Sequence, residues 1–489
     1  MSSDPRASLR ASAVPPFQVM EVMKAAHERE RSGKKVLHME VGQPSVGAPQ
    51  GVLDAVKESL DACARGETTL GYTVADGTDA LVRSRSRARS RRRTHAQHRR
   101  PDATRASSDL NPLIPNPSPS HQRSRISAHY ASRYGVSVSP DAIMVTTGSS
   151  AAFVLGFLAM FDAGDRVAVA RPGYPCYVNI LEAMGVEVVS LPVDARTNFQ
   201  PTVEMLEDAV RGDDDGNDDD TNNDALASES EPGSNPAGGK NRRRRTLRGV
   251  IVASPSNPTG TVLSRDQLFA LREWCRRRGA WFVSDEIYHQ IEYGPVRAAT
   301  ALERANSTTA RSDADAYDDG GLSHVAVINS FSKYHCLTGW RVGWCVLPKA
   351  LREPFRALQQ NLFINAPHVS QIAALAAFEC DEALAKHVER YERNREILLR
   401  GLKDAGFGEL SSAGGAYYVY ADVSGLTDDS VALCARILET TGVACVPGVD
   451  FDRERGRRFV RFSFCGSEET AREAAKALVQ KRDEWAAKE

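Results

Sequence analysis

Short apolar runs alternate with stretches of helical periodicity through most of the chain. The apolar runs, which are typical of strands, lie at 142–145, 166–169, 186–189, 249–253, 281–283 and 325–328. Helical patterns fit between them, at 151–161, 177–183 and 265–278. Strands that are apolar on both faces need helices on both sides, so the pattern predicts an α/β fold with a mostly parallel sheet. A ligand of such a sheet binds at the carboxyl ends of its strands.

The chain after Pro348 follows a different pattern. It is mostly helical over 351–363 and 370–402, and alternating side chains then predict strands at 415–420 and 459–464. A second, smaller α+β domain follows from this change. We expect three regions: an N-terminal arm with part of the small domain (1–48), a large domain (49–345) and the small C-terminal domain (346–489).

Three segments break the globular pattern, at 82–122, 212–244 and 303–321. The first is basic and rich in proline and serine. The second begins with an acidic run and ends with an arginine cluster, and the third consists of small, polar and acidic residues. None has the apolar periodicity that would offset the entropy of ordering it. We therefore expect three disordered insertions in the large domain, and whether they persist in the mature protein stays open.

The first insertion interrupts a helix. Joining Leu81 to Arg123 restores one helix face, which carries Ile126, Tyr130 and Tyr134. The arginine- and serine-rich run also suits RNA binding or nuclear targeting. However, the run has no interleaved aromatic residues and the overall charge is balanced, so we favour a solvated insertion and expect no nucleic-acid partner.

Composition narrows the function classes. The chain has 62 Lys+Arg against 63 Asp+Glu in 489 residues, so no overall charge favours nucleic acid or an anionic membrane. No run of about 18 apolar residues occurs, and we expect no membrane span. Nine cysteines without CxxC pairs favour reduced thiols over disulfides or a metal site. We expect a cytoplasmic protein, with organellar import left open by the Arg-, Ser- and Ala-rich N-terminus.

A lysine lies just after one of the predicted strands. Ser330, Ser332 and Lys333 follow the apolar run 325–328, and Arg341 comes shortly after them between glycines. A lysine in such a turn suits a Schiff base and the arginine suits a phosphate ester, although a buried lysine neutralised by a carboxylate is the alternative. The segment resembles the lysine segment of the class I/II aminotransferases. This aspartate aminotransferase-like family has PLP-dependent transferase fold type I, in which pyridoxal 5'-phosphate (PLP) is the cofactor.

A second candidate for the phosphate site joins a strand to an apolar helix. Gly148, Ser149 and Ser150 follow the first strand, and a helix N-terminus with hydroxyl groups binds phosphate well, although the same residues form an ordinary N-cap. The resemblance implies that these three residues bind the PLP phosphate. It implies further phosphate contacts from Ser330, Ser332 and Arg341.

The resemblance also assigns residues to the cofactor ring. Asp285 ends a predicted strand and would hold the pyridine nitrogen protonated, which makes the ring an electron sink. Tyr288 and Asn257 match the groups that bind the ring oxygen O3′. Lys333, Asp285 and Tyr288 are then the catalytic residues. Taken alone, Asp285 and Asn257 also fit an N-cap and a plain turn.

Two tyrosines complete the implied cofactor site. Tyr174 lies between two prolines and matches an aromatic residue that stacks on the ring. Tyr72 matches a tyrosine that reaches the phosphate of a neighbouring subunit. If this match holds, the enzyme is a homodimer.

Two further residues match substrate-binding groups of the family. Arg461 matches the arginine that binds the substrate α-carboxylate, and Gly42 matches a glycine whose backbone lies against the same carboxylate. Asn257, already matched to the ring oxygen, is also expected to bind the substrate. Alternation alone does not fix the face of Arg461, which could point outward from its strand.

The resemblance therefore implies a PLP-dependent aminotransferase that moves an amino group from an L-amino acid to a 2-oxo acid through a Schiff base on Lys333. A PLP-dependent lyase or a cyclopropane-forming synthase of the same fold is an alternative, because fold alone does not fix the reaction. A non-catalytic regulatory or RNA-associated protein is an alternative of another class. The donor stays open: Ser150 stands where some acidic-substrate relatives have a lysine, and His289, His335 and an arginine from the partner subunit are unassigned candidates for a second cation.

Overall fold

The computed structural model of the chain describes residues 7–78, 120–211, 246–304 and 321–486. Most of the three predicted insertions lies outside the described residues, as does Leu81. Residues 120–122, which we assigned to the first insertion, belong instead to a helix that begins at Ser120. Gln122 of this helix is buried, and its N–H donates to the carbonyl of Thr78 over 2.7 Å.

The described strands and helices follow in chain order. The strands are β1 (Leu37–His38), β2 (Ile143–Thr146), β3 (Arg166–Arg171), β4 (Glu187–Pro192), β5 (Leu247–Ala253), β6 (Trp281–Asp285), β7 (Val325–Ser330), β8 (Gly343–Val346), β9 (Tyr418–Asp422), β10 (Val443–Ala444), β11 (Val446–Pro447) and β12 (Phe459–Ser463). The α-helices are α1 (Leu9–Ala13), α2 (Gln18–Arg31), α3 (Gln50–Ala64), α4 (Ser120–Tyr134), α5 (Gly148–Met160), α6 (Pro175–Met184), α7 (Val203–Arg211), α8 (Arg265–Arg278), α9 (Lys349–Leu362), α10 (His368–Ala377), α11 (Asp381–Asp404), α12 (Ser430–Thr441), α13 (Glu468–Gln480) and α14 (Arg482–Trp485). None of these helices is long and apolar enough to cross a bilayer.

A seven-stranded sheet with the order β2-β8-β7-β6-β5-β3-β4 forms the large part of the fold. Strand β8 runs antiparallel to both of its neighbours, and the other described pairs of this sheet are parallel. The predicted α/β class with a mostly parallel sheet is confirmed. Strand β8 was not predicted, because its short glycine-containing segment carries no clear strand pattern.

The strands of this sheet are buried on both faces, as their composition predicts. Along β7, Val325 and Val327 pack into the core on one side, whereas Ala326 and Ile328 pack into the core on the other. All six residues of the strand are buried. Only the strand ends are then free to present polar groups to a ligand, which fixes where the site can lie.

The C-terminal part of the chain forms a smaller α+β unit. Strands β11, β12 and β9 make an antiparallel sheet, and β1 from the N-terminal region pairs in parallel with β10. Tyr417, Val419 and Phe462 lie in one core with residues of α11 and α13. The long helix predicted over 370–402 is two helices, α10 and α11, separated at Phe378–Cys380.

Candidate active site

Lys333 lies in the turn after β7, with its amine directed into the protein. Its Nζ donates a hydrogen bond of 2.8 Å to the carbonyl of Gly42 and lies 5.7 Å from the ring centroid of Tyr288. Burial lowers the pKa of Lys333 to about 8, and the positive charges of Arg461 and Arg341 also lower it. A lysine of this kind releases a proton more readily than a surface lysine does.

Asp285 ends β6, between the ends of β5 and β7. Its register partners are Ala253 and Ile328, and only 2% of the residue is exposed. Burial raises the pKa of Asp285 to about 6, whereas hydrogen bonds from the Tyr177 hydroxyl and the Ile287 N–H lower it. These two hydrogen bonds fix the orientation of the buried carboxylate, which is mostly ionised at neutral pH.

Arg461 of β12 is 4% exposed and points into the protein, so the outward orientation that alternation left open is wrong. Its Nη1 donates to Oδ1 of Asn257 over 2.9 Å, and its Nη2 donates to the carbonyl of Glu40. The guanidinium carbon lies 4.5 Å from the Tyr418 ring centroid and 4.7 Å from that of Phe451. Two hydrogen bonds and two aromatic rings thus fix the plane of the guanidinium.

Tyr288 and Gly42 both lie against the hydroxyl group of Tyr418. The hydroxyl oxygens of Tyr288 and Tyr418 are 2.7 Å apart. A Cβ on Gly42 would lie 1.6 Å from the Tyr418 hydroxyl oxygen, which no side chain permits. The hydroxyl of Tyr417 donates to the Gly42 carbonyl over 3.1 Å, the same carbonyl that accepts from Lys333.

A second group of predicted residues surrounds Arg341. Gly148 has φ +72°, and a Cβ there would lie 2.5 Å from Arg341 Nη2. Arg341 Nη1 donates to the carbonyl of Thr338 over 3.0 Å and approaches Ser332 Oγ at 3.5 Å. Ser330 Oγ donates to Ser332 Oγ over 2.9 Å. A guanidinium, two hydroxyl groups and the N-terminus of α5 therefore converge, and this combination suits a phosphate ester.

The remaining predicted residues differ in exposure. Tyr174 is partly buried, with its ring at an angle of 83° to that of Tyr177 and a centroid distance of 5.4 Å. Ser149 is partly buried, whereas Ser150 is exposed. Tyr72 is 85% exposed, on the surface of the single chain, so the structure does not bring it to the other residues.

Comparison with known proteins identifies the family. Residues 88–478 match the family model described as aminotransferase class I and II. The chain belongs to this family. Its amino-acid sequence is 39% identical to a valine–pyruvate aminotransferase of Mycobacterium tuberculosis over 97% of each chain. It is 26% identical to an aspartate aminotransferase of Thermotoga maritima over 96% of this chain and 97% of that protein.

Solved structures of aminotransferases agree with this assignment. A crystal structure of an aminotransferase from Mycobacterium tuberculosis has a TM-score of 0.75 at 38% identity and covers 98% of this chain and 99% of that chain. The aspartate aminotransferase of Thermus thermophilus with maleate has a TM-score of 0.72 at 25% identity, with 98% and 100% covered. The fold is therefore the fold type I of this PLP-dependent family, and the chain is an enzyme that transfers amino groups. The relatives favour transamination over the lyase and synthase reactions.

Sequence reasoning missed several groups of this aminotransferase site. Tyr177 lies 108 residues from Asp285 and Tyr418 lies 130 residues from Tyr288, so no local pattern links these pairs. The one available signal is the density of tyrosines beside the predicted motifs, since Tyr177 closely follows Tyr174 and Tyr418 begins β9.

The two histidines proposed as a second cation do not serve that role. Burial lowers the pKa of both His289 and His335 to about 3, so both are neutral at physiological pH. His289 Nδ1 instead shares a hydrogen bond of 2.7 Å with the Tyr134 hydroxyl. His335 packs between Phe331 and Phe378, with ring centroids 4.8 and 5.3 Å away.

Proposed function

We propose that this aminotransferase holds PLP at Lys333 and transfers the amino group of a branched, apolar L-amino acid such as valine to pyruvate. The observation that carries the proposal is the convergence of three groups: Lys333, with its lowered pKa, and the buried Asp285 lie at the ends of the adjoining strands β7 and β6, and the buried Arg461 of β12 is close enough for its charge to lower the pKa of Lys333. Groups with shifted pKa values that share one cleft are typical of an active site.

The described residues fit each part of the cofactor. Arg341, Ser330, Ser332 and the N-terminus of α5 offer a guanidinium, hydroxyl groups and free N–H groups to a phosphate. The crowding of Gly148 against Arg341 leaves no room for a side chain there. Asp285 would pair with the pyridine nitrogen, and Tyr288 and Asn257 would meet the ring oxygen. When bound, PLP supplies an electron sink for the negative charge that develops at the substrate Cα.

The protein's own residues would perform the remaining steps. Arg461, held flat by Tyr418 and Phe451, would orient the substrate α-carboxylate with its planar fork. Lys333 Nζ, with its pKa near 8, is in part uncharged at mildly alkaline pH. Its amine would therefore act as a base toward the proton on Cα and return that proton as an acid.

The preference for an apolar donor rests on two observations. The relative with 39% identity carries the name valine–pyruvate aminotransferase. The residues that pack against the Arg461 guanidinium are aromatic, and the candidate cations His289 and His335 are neutral. A second carboxylate on the substrate would therefore find no charge from these residues, and its burial without a partner is costly.

The test is a panel of L-amino acids, each incubated with the cofactor-loaded protein and pyruvate. We expect the highest kcat/KM for valine or another branched donor, and a lower value for aspartate.

A second experiment tests the reaction type. In single turnover without pyruvate, a transaminase forms one equivalent of 2-oxo acid per site, whereas a lyase turns over continuously. Lys333→Ala should lose at least about 100-fold in rate, because general acid–base catalysis contributes that much. Preference for aspartate, or an active Lys333→Ala variant, would contradict the proposal.

We also infer a homodimer, with Tyr72 reaching the phosphate site of the neighbouring subunit. Tyr72 is 85% exposed in the single chain, so its side chain is free to contact a neighbouring subunit. Light scattering with Tyr72→Phe and Tyr72→Ala measures assembly, and PLP titration measures the contact. We expect dimers in both variants and weaker PLP binding, and a monomeric wild-type protein would refute the inference.

A further inference from the structure

Tyr418 lies against the proposed cofactor-binding residues but has no assigned role. It begins β9 and is 1% exposed. Its hydroxyl oxygen is 2.7 Å from the hydroxyl oxygen of Tyr288, and either oxygen can be the donor in the bond between them. A buried pair of phenols at this distance contains one shared hydrogen bond, and the direction of that bond depends on what else each hydroxyl meets.

Binding of the PLP ring oxygen to Tyr288 would fix the direction of the hydrogen bond between the two tyrosines. A phenol has one hydrogen to donate, and a negatively charged oxygen only accepts. If Tyr288 donates its hydrogen to the ring oxygen of PLP, the hydrogen between the two tyrosines comes from Tyr418. The Tyr288 oxygen then accepts from Tyr418 while its hydrogen is donated onward.

Three contacts hold Tyr418 in position to donate. The Arg461 guanidinium packs 4.5 Å from its ring centroid, and the Tyr417 ring lies 5.1 Å away. On the remaining side, the hydroxyl lies so close to Gly42 that a Cβ there would be 1.6 Å away. The side chain therefore cannot turn away from Tyr288 without a movement of the backbone at Gly42.

We propose that Tyr418 is a positioning residue that donates its hydrogen to Tyr288 and thereby strengthens the hydrogen bond from Tyr288 to the ring oxygen of PLP. Hydrogen bonds in a chain polarise one another, so a donor behind Tyr288 makes Tyr288 a better donor. This inference rests on the proposed function, because it requires PLP in the site.

The groups around the pair keep Tyr418 protonated. Burial raises its pKa to about 12, although the positive charge of Arg461 and the bond with Tyr288 lower it. The buried thiol of Cys465 faces Tyr418, and Arg461 and Tyr174 face Tyr288. Lys333 Nζ lies 5.7 Å from the Tyr288 ring. Tyr418 therefore remains a donor throughout the pH range in which Lys333 titrates.

Loss of the Tyr418 hydroxyl has a consequence at Lys333. A weaker donor at the ring oxygen leaves more negative charge on that oxygen. This charge holds the proton on Lys333 Nζ more tightly when the lysine carries the cofactor. The pH midpoint of the visible absorbance of the loaded enzyme should therefore rise.

The experiment measures this midpoint in the full-length, cofactor-loaded wild type and in Tyr418→Phe. We expect the midpoint to rise by about 0.5 pH unit in Tyr418→Phe, the size that a single hydrogen bond supports. Tyr420→Phe is the matched control, because Tyr420 lies on the same strand and its buried hydroxyl has no hydrogen-bond partner among the described residues. Its midpoint should equal that of the wild type.

Two further measurements separate a relay from a structural role. In a Tyr288→Phe background, Tyr418→Phe should add no further shift, since the acceptor of its hydrogen is gone. Replacement of Tyr418 by 3-fluorotyrosine keeps the ring and makes the hydroxyl a stronger donor, so the midpoint should fall. The fluorotyrosine protein carries the test even if Tyr418→Phe does not fold.

The outcomes distinguish failure of the relay from failure of the proposed function. An unchanged midpoint in Tyr418→Phe or in the fluorotyrosine protein, or a shift of equal size with and without Tyr288, would overturn the relay. The proposed function would stand in each of those cases. A wild-type protein that gains no visible absorbance with PLP would instead overturn the proposed function.

Discussion

At the scale of single residues, the Tyr177 hydroxyl controls the charge of Asp285. Its hydrogen bond lowers the pKa of Asp285, against the burial that raises this pKa to about 6. Tyr177→Phe removes that contribution, so the pKa of Asp285 should rise toward neutrality. More of the carboxyl is then protonated and pairs less well with a pyridine nitrogen. We expect PLP to bind about twofold more weakly at pH 7 and up to about tenfold more weakly below pH 6, because a hydrogen bond to a charged group moves the pKa by about one unit.

The measurement is the dissociation constant of PLP for the apo protein across the acid and neutral range. The matched control is Tyr293→Phe, since Tyr293 is also buried and its hydroxyl donates to the carbonyl of Ala416 rather than to Asp285. Both variants lose one buried hydrogen bond, but only Tyr177→Phe should lose affinity increasingly as the pH falls. The same pH dependence in both variants would contradict the role of Tyr177.

The limit of sequence reasoning is clearest at this scale. Lys333, Asp285 and Arg461 were found because each follows or lies in a recognisable strand and also matches a motif of the aminotransferase family. Their partners Tyr177 and Tyr418 were not found, because these tyrosines come from distant segments of the chain. Periodicity reports which face of an element is buried, but not which hydroxyl lies opposite a carboxylate.

At the scale of elements, the start of α5 depends on a glycine. Gly148 has φ +72°, and an added Cβ would lie 2.5 Å from Arg341 Nη2. Gly148→Ala should therefore cost backbone strain and also displace the arginine from the proposed phosphate site. We expect a PLP dissociation constant at least about tenfold higher, as for the loss of one charge-assisted contact.

Gly279 provides the control for this prediction. It ends α8 with φ +64°, yet an added Cβ meets nothing within 4 Å. Gly279→Ala should cost about 1 kcal/mol of stability from backbone strain alone. It should leave PLP affinity unchanged in the same titration. If both variants lose affinity equally, strain rather than contact with Arg341 explains the effect.

Elements with clear start and stop signals in their own sequence were the most predictable. Helix α8 has the bounds that its pattern predicts, because Ser264 and Gln267 form a capping box and Gly279 ends the helix in a left-handed conformation. Strand β8 was missed, and the start of α4 was assigned three residues too late. In both cases the element is fixed by tertiary contacts, such as the bond from Gln122 to Thr78, rather than by its own sequence.

At the scale of the whole molecule, buried titratable groups set the pH range of stability. Burial lowers the pKa of His289 and His335 from 6.5 to about 3. The unfolded chain therefore binds more protons between these values, and stability is lost as the pH falls through that interval. Glu286 acts in the opposite sense, because burial raises its pKa from 4.5 to about 8 and stability falls as the pH rises between those values. Asp285 acts like Glu286 between 3.8 and about 6, whereas His129, whose pKa burial lowers to about 4, acts like the other two histidines. Three histidines outweigh two carboxyls below about pH 6.5, so we expect maximal stability near that pH.

His335→Phe tests the acid side of this prediction. His335 lies among the rings of Phe331, Tyr334 and Phe378, so a phenyl ring suits its surroundings. Urea unfolding from acid to neutral pH should give a free energy of unfolding that depends less steeply on pH, by up to about 1.4 kcal/mol per pH unit.

The contrasting variant is His38→Gln. A hydrogen bond to Glu40 raises the pKa of the half-exposed His38 to about 9. The stability that His38 contributes is present below about pH 6.5 and is lost as the pH rises toward 9, so this variant should change the alkaline side and leave the acid slope intact. An acid slope unaltered by His335→Phe would mean that His335 is not held neutral in the folded protein.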